Sequence, residues 1–368
     1  MDAGFRTMAA KYSKNTTVLL LVTFALLLDS DAVQGWGALS KVEDLELDRQ
    51  LKLLNKPAIM SFQTEYGDIV DCVDIYKQLA FDHPLLKNHT IQMKPETIPD
   101  EASRAYTHSN DVPNNISCPH GSVPIRRSTK EDLLMENYLK SLRMNYKHWY
   151  TSSIDISGHH SAALTFESQN YGGKARINVN QFLYANNSRL YTFWTADGYQ
   201  KSGCYNVLCP GFVQVSSEIT LGLSLLPTST YGGPQYDMLI SLYQDQTTGN
   251  WWFMFQDKYV GYWPKEIFTS LAKSADFISW GGQVYSPIKE RSPEMGSGRF
   301  PEEGYGKSAY IKQIKVVNNE KNGFVDPTDS ATKIYADKPF CYNAIHNVLK
   351  DDEWGHHVYF GGHGNCTF

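Results

Sequence analysis

The chain has 368 residues, of which 20% are charged and 13% aromatic, and its formal net charge is −5. That composition supports a large apolar core and excludes a disordered chain or a coiled coil. The charge is mild and the longest basic run is Arg126-Arg127, which excludes a general nucleic-acid binder, since phosphates need a concentrated basic face.

At the amino terminus Lys11 and Lys14 precede an apolar run from Val18 to Leu28, broken only by Thr23, and small residues follow at Ala32 and Gly35. The run is short for a membrane span and has the three-part form of a secretory signal over residues 1–35, so no membrane contact is expected after cleavage. Six cysteines in an exported chain point to disulfides. Proximity favours Cys72–Cys118, Cys204–Cys209 and Cys341–Cys366. No two cysteines are separated by only two residues, so neither zinc nor any other metal or cofactor is expected. Four sequons, at Asn88, Asn115, Asn186 and Asn365, are candidate glycosylation sites that would lie on the surface, Asn88 and Asn115 being favoured.

After the signal, Val42, Leu45, Leu51 and Leu54 recur at helical spacing up to Pro57. Ile59 to Phe62 and Ile69 to Tyr76 predict a hairpin that turns at Gly67. Phe81 to Asn88 is irregular around Pro84, and Pro95 to Pro113 is polar, as a surface linker or exposed, cleavable segment would be. Thr129 caps a helix running to about Met144. A boundary near 145–155 then divides a small α+β domain, 36–150, from a second domain, 151–368.

The second domain is written in β language, densest from Tyr191 to Tyr310. Strands are predicted at Ser161–Glu167, Ala175–Val179, Val213–Val215, Leu221–Leu226, Met238–Tyr243, Trp251–Gln256, Phe277–Trp280, Ala309–Val317 and Val358–Phe360. Pro264 to Ala272 is predicted as the one helix among them. Short alternating strands in this number imply a mainly β fold, an antiparallel β-sandwich. Adjacent histidines at 159–160 and 356–357 point to opposite faces of a strand, which opposes a metal cluster. Trp251, Trp252, Phe253 and Phe255 read as packing before sugar stacking, and no Gly-x-Ser-x-Gly elbow occurs.

Several phrases resemble the neprosin family of secreted plant proteins. In the first domain these are Asp71-Cys-Val-Asp-Ile-Tyr-Lys-Gln78, Phe81-Asp-His-Pro-Leu-Leu-Lys-Asn-His89 and Pro124-Ile-Arg-Arg127. In the second they include Trp194-Thr-Ala-Asp-Gly-Tyr199, Cys209-Pro-Gly-Phe-Val-Gln214, Gly249-Asn-Trp-Trp252, Trp280-Gly-Gly282 and Phe300-Pro-Glu-Glu-Gly-Tyr-Gly-Lys307. The resemblance implies an activation domain followed by a glutamic-peptidase-like sandwich that cuts proteins next to proline, with its cleft on the concave face of one sheet. Trp194, Tyr236, Trp252 and Trp280 are candidates to line that cleft. The resemblance also implies acid-triggered release of the activation domain by cleavage between about Pro95 and His159.

That chemistry needs two facing carboxyl groups, one ionised to activate water and one protonated to polarise the scissile carbonyl. One family Glu directly follows the Trp-Gly-Gly phrase, and here that position is Gln283. The other lies between the segments matching Ala175–Val179 and Leu183-Tyr184, yet here Asn178-Val-Asn180 runs almost directly into Gln181-Phe-Leu-Tyr184. About two to four strands' worth of chain is missing, through an omitted exon or a genuine loss. Weak or absent peptidase activity is therefore expected. The partner would be a proline-containing peptide or protein or, for a non-catalytic binding module, an extracellular polysaccharide. The expected location is outside the cell, in the cell wall or in the vacuole.

Overall fold

The computed structural model describes residues 40–99, 116–143, 158–180, 188–197, 202–222, 224–286, 289–318, 323–349 and 351–368. The signal segment, the boundary at 145–155 and the sequons at Asn115 and Asn186 lie outside the described residues.

Helix α1 (Lys41–Leu54) starts in a capping box, in which Ser40 and Glu43 each accept from the other's backbone N–H. Strands β1 (Ala58–Gln63), β2 (Ile69–Asp74) and β3 (Ser122–Arg126) form one antiparallel sheet in that order. Gly67 sits at φ +84° in the β1–β2 turn, a left-handed conformation that favours glycine. Helix α2 (Lys130–Arg143) is capped by Thr129, which exchanges hydrogen bonds with Asp132. The irregular stretch around Pro84 forms two short 3-10 turns, Leu79–Asp82 and Pro84–Leu86.

From residue 158 the chain runs through β4 (His159–Phe166), β5 (Gly172–Asn178), β6 (Ser188–Arg189), β7 (Phe193–Trp194), β8 (Cys204–Tyr205), β9 (Val213–Gln214) and β10 (Ser224–Leu225). It continues with β11 (Asp237–Gln244), β12 (Trp251–Phe255), β13 (Lys258–Trp263), β14 (Ile278–Tyr285) and β15 (Ala309–Val317). The last strands are β16 (Phe324–Val325), β17 (Thr332–Ala336), β18 (Asn343–Val348) and β19 (His356–Gly361). A nine-stranded sheet takes the order β18-β19-β15-β5-β11-β12-β13-β9 with β16 beside β15, and a three-stranded sheet takes the order β14-β4-β17. β6 pairs with β10 and β7 with β8, and every strand pairing is antiparallel.

Period-two alternation sends successive side chains of the large sheet into two different cores. Trp251, Phe253 and Phe255 of β12 join the core shared with the small sheet, together with Ala175, Ile177, Ile240 and Leu242. Trp252 and Met254 join a second core on the opposite face, with Tyr243, Tyr262 and Phe324. Both cores also take residues from the chain before β4: Val70, Leu86 and Ile116 in the first, Ala80 in the second.

The helix expected over Pro264–Ala272 is instead a single 3-10 turn, Lys265–Ile267. Its later carbonyls are used elsewhere: Leu271 O accepts from Trp251 Nε1 at 2.8 Å, and Gln244 Nε2 donates to Leu271 O and Ala272 O. Buried tertiary donors outcompete the helical bonds that propensity favours. The sequence reading also passed over β13, β17 and β18, where Gly, Lys, Asn and His dilute the apolar pattern.

Candidate functional site

Along β14 the side chains of Trp280 and Val284 enter the core between the sheets. Alternation therefore places Ser279, Gly281, Gln283 and Tyr285 on the outer face. The glycines beneath allow the two sheets to approach closely. A Cβ on Gly282 would lie 2.7 Å from Met295 and Phe360, and one on Gly173 of β5 would lie 3.2 Å from the Trp280 ring. The Trp-Gly-Gly phrase thus fixes how the strand carrying Gln283 seats on the large sheet.

Antiparallel register sets Gln283 opposite Ser161 of β4 and Tyr285 opposite His159. Gln283 Nε2 donates to Ser161 Oγ over a long 3.4 Å, and the rings of His159 and Tyr285 lie 5.0 Å apart. Ser161 N–H donates to Asp337 Oδ1 at 2.8 Å, while Asp337 Oδ2 lies 2.6 Å from His160 Nδ1. His160 points the other way, is buried, and packs on the ring of Phe368 at 4.0 Å between centroids. This arrangement can hydrogen-bond a peptide through Gln283 and the strand backbone. It cannot move a proton at Gln283, because a carboxamide neither gains nor loses one in the accessible pH range. The carboxylate in this network, Asp337, is already committed to His160 and to the Ser161 N–H.

Three of the four aromatics proposed to line a cleft pack inside the protein instead. Trp252 is 0% exposed and lies against Tyr262 at 4.7 Å, Trp194 packs on Phe268, and Trp280 lies between the sheets. Each ring points into a packed core rather than onto an open face. Tyr236 is half-buried, and its carbonyl accepts from Asn178 Nδ2 and Ser229 Oγ. Cys72–Cys118, Cys204–Cys209 and Cys341–Cys366 are bonded. Asn88 and Asn365 are exposed. Among the described residues no group of three or more His, Cys, Asp or Glu side chains could hold a metal ion, and no helix is long and apolar enough to cross a membrane.

β5 ends at Asn178, and the β6–β10 pair is tied straight back to it: Ser188 Oγ donates to Asn180 O, and Asn180 bridges Ser229. Among the described residues the small sheet has three strands and the large one nine.

The family model for neprosin matches residues 160–363, and that for the neprosin activation peptide matches residues 61–165. The chain belongs to the neprosin family. The activation-peptide match takes in β1 from Ser61, β2, β3 and the turns Leu79–Asp82 and Pro84–Leu86, whereas β4 to β19 fall within the neprosin match, or at its edge for His159. A neprosin-type peptidase zymogen acting on a peptide is thereby the supported class, and the family is secreted.

The sequence pointed to Gln283 through the resemblance alone, and neither its strand neighbour Ser161 nor Asp337 was among the candidates. Asp337 lies 176 residues from Ser161 in the chain and carries no local motif, so only strand pairing could reveal it.

Proposed function

We propose that this neprosin-type protein takes an extended, proline-containing peptide across the outer face of β14, β4 and β17 and does not hydrolyse it efficiently. The observation that carries the reading is Gln283 at the position of a family Glu, hydrogen-bonded to Ser161 where an acid–base carboxyl would be needed. Loss of one such group reduces rate by a factor of order 10²–10⁴. Only nine residues, 179–187, separate β5 from β6 in the chain, which supports the absence of the second Glu. The experiment is to incubate the purified chain with a proline-containing peptide at acid pH, following cleavage by mass spectrometry and binding by calorimetry. Binding without new termini supports the reading, and efficient cleavage next to proline refutes it.

A second reading, a polysaccharide-binding module, is favoured by one observation. Tyr231 and Tyr305 are each 58% exposed, with Arg299 stacked 4.8 Å over the first and Trp354 set edge-on at 5.4 Å from the second. Exposed rings beside charged groups suit sugar faces. Retention on immobilised cell-wall polysaccharide, abolished by Tyr305→Ala, would support it.

A further inference from the structure

β14 stands at one edge of the small sheet, whose order is β14-β4-β17. Its pairing with β4 is unbroken from Ile278 to Tyr285, and the next residue, Ser286, donates its N–H to Gly158 O at 2.7 Å. In an antiparallel ladder the residues bonded to one neighbour alternate with those that face the other side. Ile278, Trp280, Gly282 and Val284 therefore turn their backbone groups to β4, and Ser279, Gly281, Gln283 and Tyr285 turn theirs outward. Among the described residues, the outward N–H and C=O groups of Ser279 and Gly281 have no hydrogen-bond partner.

The two edges of this sheet differ. On β17, Lys333 forms an ion pair with Glu167 at 2.8 Å, and charges of that kind keep an edge from pairing. β14 reads Ile-Ser-Trp-Gly-Gly-Gln-Val-Tyr, eight residues with neither charge nor proline, and its four outward residues are half-buried rather than sealed. An edge of that length and composition is suited to taking another strand.

The order of residues along β14 matches a second copy of itself. A two-fold axis at Gly282 sets Gly281 opposite the partner's Gln283 and Ser279 opposite the partner's Tyr285. All four outward residues of each copy then fall on hydrogen-bonded rungs. On the outer face every rung sets a large side chain against a small residue: Gln283 against the partner's Gly281, which has no side chain, and Tyr285 against the partner's Ser279. Side chains directly opposite one another are the pairs that decide whether two strands associate.

We propose that β14 is a homodimer contact, which pairs antiparallel with β14 of a second copy to make one six-stranded sheet, β17-β4-β14-β14-β4-β17. The pairing joins the outer faces of the two small sheets and brings both Gln283 side chains onto one surface, on either side of the axis. It goes beyond the peptide reading and holds whether or not a peptide is bound or cleaved on that surface.

A disulfide tests the register. Facing residues of a hydrogen-bonded rung have Cα atoms about 5.5 Å apart, within reach of a disulfide. Along one extended strand positions 279 and 285 are about 20 Å apart, so they cannot be bridged within a single chain. The full chain carrying Ser279→Cys and Tyr285→Cys is oxidised, and its cross-linked peptides are read by mass spectrometry. The expected product is a covalent dimer joined from position 279 of one copy to position 285 of the other. Sedimentation of the unaltered chain from about 1 to about 100 µM should show a monomer–dimer equilibrium. Ser279→Pro removes an outward N–H from two rungs and spares the bonds to β4, so it should weaken dimerisation at least about tenfold, whereas Ser279→Ala should not. Should Ser279→Pro fail to melt cooperatively, the cross-link and the sedimentation of the unaltered chain decide. A chain that stays monomeric at the highest concentration, growth into larger species, or the lack of a 279–285 cross-link overturns the proposal, as does dimerisation unchanged in a folded Ser279→Pro chain.

Discussion

The carboxylate of Asp245 accepts from the side-chain amide of Gln92 at 2.8 Å, across 153 residues of chain. It also accepts from the backbone N–H groups of Glu96, Thr97 and Thr247 and from Thr248 Oγ1. Burial pushes this carboxyl up, but the bonds from Glu96, Gln92, Thr248 and Thr97 outweigh burial and hold it below the usual range. Asp245→Asn would turn an amide NH₂ towards surrounding donors. A loss of about 1–3 kcal/mol in chemical denaturation is expected, with faster hydrogen exchange at the Glu96 and Thr97 amides. Unchanged exchange at those amides would show that the carboxylate does not hold the segment.

Gln283→Glu restores one carboxyl on the outer face of β14. Peptide cleavage is nevertheless expected to stay at the wild-type level, because the reaction needs a second carboxyl opposite the first. A gain of order 10² or more in cleavage, read by mass spectrometry on a proline-containing peptide, would mean that another group in the chain fills that role.

Asp68 meets Arg126 Nε at 2.9 Å and Arg189 Nη1 at 2.7 Å, and Arg126 also meets Asp132 at 3.0 Å. These side chains are only 13–19% exposed, so the charges depend on one another more than surface pairs do. Arg126→Met leaves two carboxylates without their shared cation and is expected to cost about 3 kcal/mol. Arg189→Met leaves Arg126 on Asp68 and should cost less, about 1–2 kcal/mol. Equal effects in urea unfolding would contradict the network.

Acid should destabilise the fold in two stages. Burial depresses the imidazole pKa values of His346, His356 and His357 below their ordinary 6.5, with neighbouring histidines adding to the effect at His346 and His357. A base depressed in the folded state lets the unfolded chain bind more protons, so stability falls as pH drops below 6.5. Asp68, Asp71 and Asp245 are held below 3.8, since their hydrogen bonds and ion pairs outweigh burial, and their contribution is lost only as pH falls below that value. Thermal melts from pH 7.5 to 5 should show a falling Tm, with a shallower slope in His346→Gln. A Tm independent of pH over that range would count against buried neutral imidazoles.

The strands rich in Tyr, Trp, Phe, Val and Ile, the α1 and α2 helices, the Gly67 turn and the three disulfides were legible in the chain because periodicity, capping and cysteine spacing are local properties. Position 283 was singled out only through the resemblance that the Trp-Gly-Gly phrase beside it carries. Pro264–Ala272 misled because its helix propensity was overridden by Trp251 and Gln244, which claim its carbonyls from other strands. The aromatics misled because ring content cannot distinguish a cleft wall from a core.

By itself the sequence determined the strands richest in aromatic and β-branched residues, the capped helices and the turn at Gly67, since each depends on nearby residues. Only the tertiary structure decided that Ser161 lies opposite Gln283 and Asp337 bonds the Ser161 N–H, that Trp252 is roofed, and that Gln78 bonds both backbone groups of Gln214 at the β9 edge. Those relationships join residues up to 176 positions apart through strand order and sheet packing, on which no local pattern of residues depends.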